Sequence, residues 1–393
     1  MREVGGASKA ACLVSSVVLS LLNLPNSTLA GDCEAPCAGY EFSAELKNDF
    51  VFAADPSFLT SNELQPTLTT DYYFAPSDNF KLFTSIANEA VVDPEPGENA
   101  AFQGLGTYVG ELYALFDFEP LALRAGKFDT VFSLVSDADP SINGANLASA
   151  FDADERWGVE GVLGFEALDI NHTIAATLFT TDRTFLSESL FTNRGRFGLS
   201  DGGAGNTEGI SSVAVTLNGC KGVEPADCFD DGEFGYRFGY RHQSAGHSTP
   251  DQIDEGLSPR SEQAFFAAGT ANFEIADETT LRLMGETSYI SHLEGDQEDA
   301  LIVTGLAALD RDRMRYIAAY SQKRNFIAGE PDSREHLFDL EAIYLSGDDT
   351  PFEGASWNLG AAYTFERDEE RQDTHLFTLR ATIDYAGSTE FGK

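Results

Sequence analysis

From Tyr40 onward apolar residues recur at every second position, the period of a strand with two unlike faces, and long stretches of helical period are few. Tyr236, Phe238 and Tyr240 alternate with Arg237, Gly239 and Arg241. Trp357, Leu359, Ala361, Tyr363 and Phe365 alternate with Asn358, Gly360, Ala362 and Thr364. In the last such segment Phe377, Leu379, Ala381, Ile383, Tyr385, Gly387, Thr389 and Phe391 share one parity, so the apolar face runs almost to the final residue. The pattern predicts strands near 38–54, 64–75, 79–92, 104–118, 121–130, 155–166, 169–182 and 210–218. It predicts a second set near 233–243, 261–275, 279–292, 299–309, 313–326, 335–346, 355–366 and 373–391, sixteen in all to within about two.

The connections carry a phase. Short links at 75–78, 119–120, 166–169, 276–278 and 310–312 fall on one side, and longer ones at 55–63, 93–103, 131–154, 183–209, 244–260, 293–298, 327–334 and 367–372 on the other. A transmembrane barrel has this phase, short turns in the periplasm and long loops outside, whereas a soluble sandwich has no reason to keep it. Two links, 219–232 and 347–354, belong to the short side yet are not short. The first contains Cys220 and Cys228, so either a disulfide staples an enlarged turn or a strand lies hidden there. The expected fold is all-β: a transmembrane antiparallel up-and-down β-barrel of about 16 strands.

Composition sets the compartment. Arg2 and Lys9 precede a mostly apolar stretch from Leu13 to Leu24, and Thr28-Leu29-Ala30 offers small residues for cleavage, so 1–30 reads as an export signal and 31–393 as one domain. Cys12 lies inside that segment and reads as a discarded residue rather than a lipid-anchor site. No later run of eighteen apolar residues is present to cross a membrane as a helix. Beyond residue 30 the chain carries 23 Lys and Arg against 63 Asp and Glu, a balance that excludes a surface built to neutralise nucleic-acid phosphates. Whether these acids only solvate loops or handle cations is not decided by charge alone.

Four cysteines remain as two close pairs, Cys33 with Cys37 and Cys220 with Cys228. In an oxidising compartment they read as two local disulfides, the alternative being a zinc site that gathers all four. The histidines at 172, 242, 247, 292, 336 and 375 form no HExxH pair, and no GxSxG elbow is present. His172, on the apolar face of its strand, is the one candidate for a Ser–His hydrolase on a barrel exterior. No catalytic residue, cofactor or resident metal is expected. Aromatic residues near strand ends, Tyr72, Tyr73, Phe74, Phe116, Phe118, Trp157, Phe165, Trp357 and Phe365, suit the interfacial girdles of a barrel.

Between Leu121 and Phe165 the chain reads Leu123-Arg124-Ala125-Gly126-Lys127-Phe128, then Asp139-Pro140-Ser141-Ile142-Asn143-Gly144, then Trp157-Gly158-Val159-Glu160-Gly161. This resembles a recurrent segment of Gram-negative outer-membrane porin-like proteins: a strand, a Pro/Gly-containing loop, and a strand opening with an aromatic and glycines. The chain departs from the family in placing Gly392 and Lys393 after Phe391, and in carrying Phe132-Ser133-Leu134 and Ser141 where relatives tend to show glycine. The resemblance implies a barrel set among outer-membrane lipid and lipopolysaccharide, commonly a homotrimer, that passes small hydrophilic solutes and ions.

It also implies that the loop after the fifth strand, 131–154, folds inward and narrows the pore. That loop holds Asp137, Asp139, Asp152 and Asp154, followed by Glu155, an acidic constriction that would favour cations by the logic of charge rings. Arg124, Arg156, Arg237, Arg241, Arg282, Arg315, Lys323 and Arg380 fall on the polar faces of strands and would form a basic wall opposite. Each could equally be the partner of a lumen carboxylate such as Glu160, Glu286, Asp339 or Glu341. Two other functions stay open: a solute-selective channel, and a structural barrel whose acidic loops, such as 293–299, bridge divalent ions to lipopolysaccharide.

Overall fold

The computed structural model describes residues 35–391 apart from 131, 139, 145, 150–152, 250–251, 254–255, 330, 347–354 and 369–371. The stretch 1–30 expected to be an export signal, Cys33, Asp139, Asp152 and the 347–354 link lie outside the described residues.

Sixteen long strands carry the fold. They are β1 Cys37–Ala54, β2 Ser61–Ser77, β3 Phe80–Ala90, β4 Leu105–Asp117, β5 Leu121–Thr130, β6 Ala153–Ala167, β7 Ile170–Thr181 and β8 Ser212–Lys221. They continue as β9 Phe234–Gln243, β10 Glu262–Ala276, β11 Thr279–Ser291, β12 Glu298–Arg311, β13 Met314–Ile327, β14 Ser333–Leu345, β15 Ala355–Arg367 and β16 Asp373–Glu390. Each pairs antiparallel with its chain neighbour, and β16 returns to β1 with Cys37 opposite Glu390 and Ala54 opposite Thr374, which closes the barrel. Two further pieces of two residues each, Ala100–Ala101 and Leu190–Phe191, add to β2 and β4.

The period of two becomes two surfaces. On β1 the even positions Tyr40, Leu46, Phe50 and Phe52 are exposed to the outside, while Glu41, Ser43, Glu45, Lys47 and Asp49 share the lumen parity. Large side chains such as Leu359 (51 % exposed) and Leu379 (49 %) stand on the outer face all round the barrel. An apolar band of that extent is a liability in water and a fit to lipid. Closure pairs each strand with a neighbour on both sides of the barrel, the condition for backbone to sit in hydrocarbon.

Turn chemistry fixes the two ends. Connections of two residues at 78–79, 168–169, 277–278 and 312–313 all lie at one end. In the 168–169 turn Leu168 and Asp169 are both left-handed (φ 57° and 59°), the backbone a tight hairpin requires. Longer connections, including 91–104, 182–211 and 244–261, lie at the other end. The enlarged turn at 222–233 conceals no strand. It holds a 3-10 turn, Pro225–Asp227, and the short helix α2, Cys228–Asp231, and the Cys220–Cys228 disulfide ties that helix to the end of β8. Cys37 is also disulfide-bonded.

Candidate functional site: the half-filled lumen

The loop between β5 and β6 folds into the barrel and begins with the short helix α1, Leu134–Ala138. Two buried carboxylates on the far wall hold it. Glu286 of β11 accepts hydrogen bonds from the Ser133 hydroxyl (3.0 Å) and from the backbone N–H groups of Leu134 (2.7 Å) and Val135 (3.2 Å). Glu341 of β14 accepts from the N–H groups of Ile142 (2.5 Å) and Asn143 (3.3 Å). Asn143 Nδ2 then donates to Thr364 of β15 (3.0 Å) and Thr378 of β16 (3.1 Å), and its Oδ1 accepts from Lys47 of β1 (2.9 Å). The loop thus follows the inner wall from β9 round to β1.

Apolar packing fills the space beneath it. Phe132 meets Phe266 edge-on at 4.7 Å, under the Arg241 guanidinium. Val135 and Ala148 pack with Met284, Leu306, Ile317 and Ile343 of the wall and with Phe229, which α2 lifts from the stapled turn. That turn is pinned in place. Asn272 Nδ2 donates to the carbonyls of Phe229 (2.7 Å) and Gly232 (2.8 Å), and Arg315 pairs with Asp230 at 3.2 Å. Burial, then the neighbouring acids Asp227 and Glu166, push the Glu224 carboxyl of this turn upward in pKa. One side of the lumen is therefore occupied, and wall groups there such as Thr364, Asp339 and Thr378 are fully buried.

The other side, from β16 through β1 to β4, keeps solvent contact: the Lys47 and Asp49 side chains are each 28 % exposed. Its lumen face carries Asp384, Glu41, Glu45, Asp49, Glu63, Asp71, Glu89 and Glu111 against Lys47, Lys81 and Arg380. Lys47 pairs with Asp49 at 3.2 Å and Arg380 with Glu45 at 3.9 Å. Carboxylates still outnumber cations there, and a water-filled passage lined this way concentrates cations. Pattern reading placed the acids on the loop and missed this wall. Their shared parity was the available signal.

The eight expected wall cations occupy the inner face, and most are spent in pairs. Arg124 meets Glu160 at 2.8 Å, Arg241 meets Glu262 at 2.7 Å, and Arg282 and Arg315 share Asp310 at 2.7 Å each. Lys323 lies 3.0 Å from Glu335, and Arg237 binds Asp137 and the Ser133 carbonyl (2.6 Å). Arg156 donates instead to the Thr181 hydroxyl at 2.5 Å. Of the expected acidic loop, Asp137 sits in that Arg237 pair and Asp154 is exposed at the start of β6.

Glu155 has a different setting, one with no sequence forewarning. Gly126 (φ 146°) brings its Cα so close to β4 that a Cβ would lie 2.3 Å from the Leu112 carbonyl oxygen, and beyond that point β4 and β5 part. The 182–211 connection closes the gap through Leu190–Phe191 on β4. Fully buried Lys127 bolts the seam, with Glu155 at 2.6 Å, Asp182 at 3.1 Å and the Val109 carbonyl at 2.6 Å. Arg194 grips Glu155 through both terminal nitrogens at 2.6 Å and lies 3.6 Å over the Tyr108 ring. Replacing Lys127 with Met should strand Asp182 and cost about 3–5 kcal/mol, as breaking a buried ion pair does. The check is the temperature at which the folded band is lost in gels of unboiled protein, which should fall sharply.

One outer-face expectation changes, and one residue keeps its face. Tyr73 has the lumen parity and packs with Phe83 and Tyr113, because its position on β2 is odd where the girdle positions Tyr72 and Phe74 are even. His172 is stacked on Phe165 (5.0 Å between ring centres), and its Nε2 lies 2.8 Å from the Tyr236 hydroxyl, so it is built into an aromatic belt. Among the described residues no group of three His, Cys, Asp or Glu is arranged to hold a metal ion.

The sequence matches no family model and no curated protein. Its structure is similar to solved structures. OprB of Pseudomonas putida aligns with TM-score 0.55 at 8% identity over 89% of this chain and 94% of that one. Outer-membrane-expressed OmpT of Vibrio cholerae aligns with TM-score 0.51 at 11% identity over 90% of this chain and 99% of that one. Closed antiparallel topology, a long loop inside the barrel and these alignments together give the chain the fold of a porin-like outer-membrane β-barrel.

Proposed function

We propose that this chain is an outer-membrane porin: a water-filled channel through which small hydrophilic solutes and ions diffuse down their gradients, with preference for cations. The observation that carries the reading is the unequal lumen, one half filled by the inward loop and the stapled turn, the other more open and lined by an excess of carboxylates. With its wall cations mostly paired, the residual field is that of the unpaired acids on β16 to β4, with exposed Asp154 adding to it. No step in passage requires a catalytic group or a cofactor. The outer face meets lipid and lipopolysaccharide, and the assembly proposed is the homotrimer that the porin resemblance implies.

Liposome swelling tests the reading. Vesicles containing the purified protein should swell in isotonic arabinose and more slowly in isotonic sucrose. A barrel with a purely structural task would leave both rates at those of protein-free vesicles.

A further inference from the structure

The 222–233 turn leaves the wall between β8 and β9, yet its contacts run across the inner faces of the next five strands, β10 to β14. Asn272 of β10 holds two of its carbonyls, Arg282 of β11 donates through Nη1 to the carbonyls of Phe229 (3.0 Å) and Asp230, and Arg315 of β13 pairs with the Asp230 carboxylate. The Cys220–Cys228 bond ties α2 back to the end of β8, which removes the slack that would let it swing out of the barrel. The wall makes room for this staple: a Cβ on Gly235 of β9 would stand 2.3 Å from Cys228 Sγ.

So fixed, the turn reaches the lumen loop. Phe229 is 3 % exposed and belongs to one apolar cluster with Met284, Leu306, Ile317 and Ile343 of the wall and with Val135 and Ala148 of the loop. Glu286 holds the N–H groups of Leu134 and Val135 from the wall, and Phe229 supports the same stretch from the short-turn side. Removing a buried aromatic leaves a cavity that its neighbours fill only in part, so the support depends on that one ring.

The turn also changes the charge of the wall it covers. Arg282 and Arg315 share the single carboxylate of Asp310 at 2.7 Å each, and one carboxylate balances one guanidinium. Asp230 of the turn supplies the second, 3.2 Å from Arg315, while the turn's carbonyls take the remaining donors of Arg282. Without the turn this wall would carry a net positive charge and face the lumen with it. We infer that the 222–233 turn is a second selectivity element of the pore: Phe229 positions the lumen loop from the short-turn side, and Asp230 with the adjoining carbonyls withdraws Arg282 and Arg315 from the field of the passage. The effect on ions rests on the channel reading above; the positioning of the loop does not.

Two measurements on the full-length protein separate those claims, with gels of unboiled protein confirming that each variant folds. Hydrogen exchange in detergent should run about tenfold faster in Phe229→Ala at peptides containing Leu134 and Val135, stay near wild type in Phe229→Leu, and be unchanged in the strands. In planar bilayers Phe229→Ala should conduct more than the wild type and show a lower K⁺/Cl⁻ permeability ratio. Adding Arg282→Gln and Arg315→Gln to it should restore the ratio and leave the conductance raised. Should Phe229→Ala lose its folded band, Cys220→Ala with Cys228→Ala frees the same turn and carries the same comparison. Unchanged loop exchange in a folded variant, or faster exchange with conductance and ratio both at wild-type values, would overturn the inference. Faster exchange in a protein whose wild type passes no current would uphold the positioning by Phe229 and overturn the channel.

Discussion

Replacing Glu286 and Glu341 together with Leu is expected to release the lumen loop and raise single-channel conductance well above the wild-type level. Both carboxylates are nearly fully buried, and between them they hold four backbone N–H groups of the loop. Leucine fills the volume but accepts nothing, and each orphaned N–H costs about 1–3 kcal/mol. That total is comparable to what a loop of this size gains from a few apolar contacts, so the loop should detach from β11 and β14. Strand pairing is untouched, so the barrel itself should remain folded. Single-channel recording is the check. Unchanged conductance in a folded double variant would mean that the loop does not set the width of the passage.

The second large effect concerns charge. Converting Glu41, Asp49 and Glu63 to their amides should reduce cation preference and bring the channel close to non-selective. Two unit charges 4 Å apart interact by about 1 kcal/mol in bulk water and more near a protein surface, so removing three carboxylates should lower the K⁺/Cl⁻ permeability ratio by an order of magnitude. Asp49→Asn acts twice, because it also frees Lys47 from the 3.2 Å pair. The wild-type preference should itself weaken between 0.1 M and 1 M KCl, as the screening length falls from about 10 Å to about 3 Å. If the amide variants kept the wild-type ratio, selectivity would reside elsewhere, in the arginines or the loop.

Most of the barrel was legible in the sequence because lipid and lumen impose a period of exactly two residues' alternation on every strand, and that constraint writes itself into side-chain type. The β16 expectation of 373–391 against the observed 373–390 shows how sharply an apolar parity ends. The staple at Cys220 and Cys228 was legible for a different reason: the two cysteines are eight positions apart, so the contact is local.

What stayed hidden depends on where a loop travels. Ser133 meets Glu286 across 153 positions and Ile142 meets Glu341 across 199, and neither glutamate differs in pattern from any other polar-face residue. The wall arginines had the right parity, yet only the structure shows that Arg124, Arg241, Arg282 and Arg315 are neutralised by neighbours. Lys127 has the outward parity of its strand, opposite Leu112, and reads as a lysine facing lipid. It is buried because β4 and β5 separate at Gly126 and another connection covers it, a long-range event without local signature.

The most direct test of a cation-preferring, water-filled pore is the reversal potential of the wild-type channel across a tenfold KCl gradient in a planar bilayer. Stepwise insertion of ohmic channels, with a reversal potential displaced toward the potassium equilibrium value, is the predicted result. Displacement toward the chloride equilibrium value, or no channel insertion by folded protein, would contradict it.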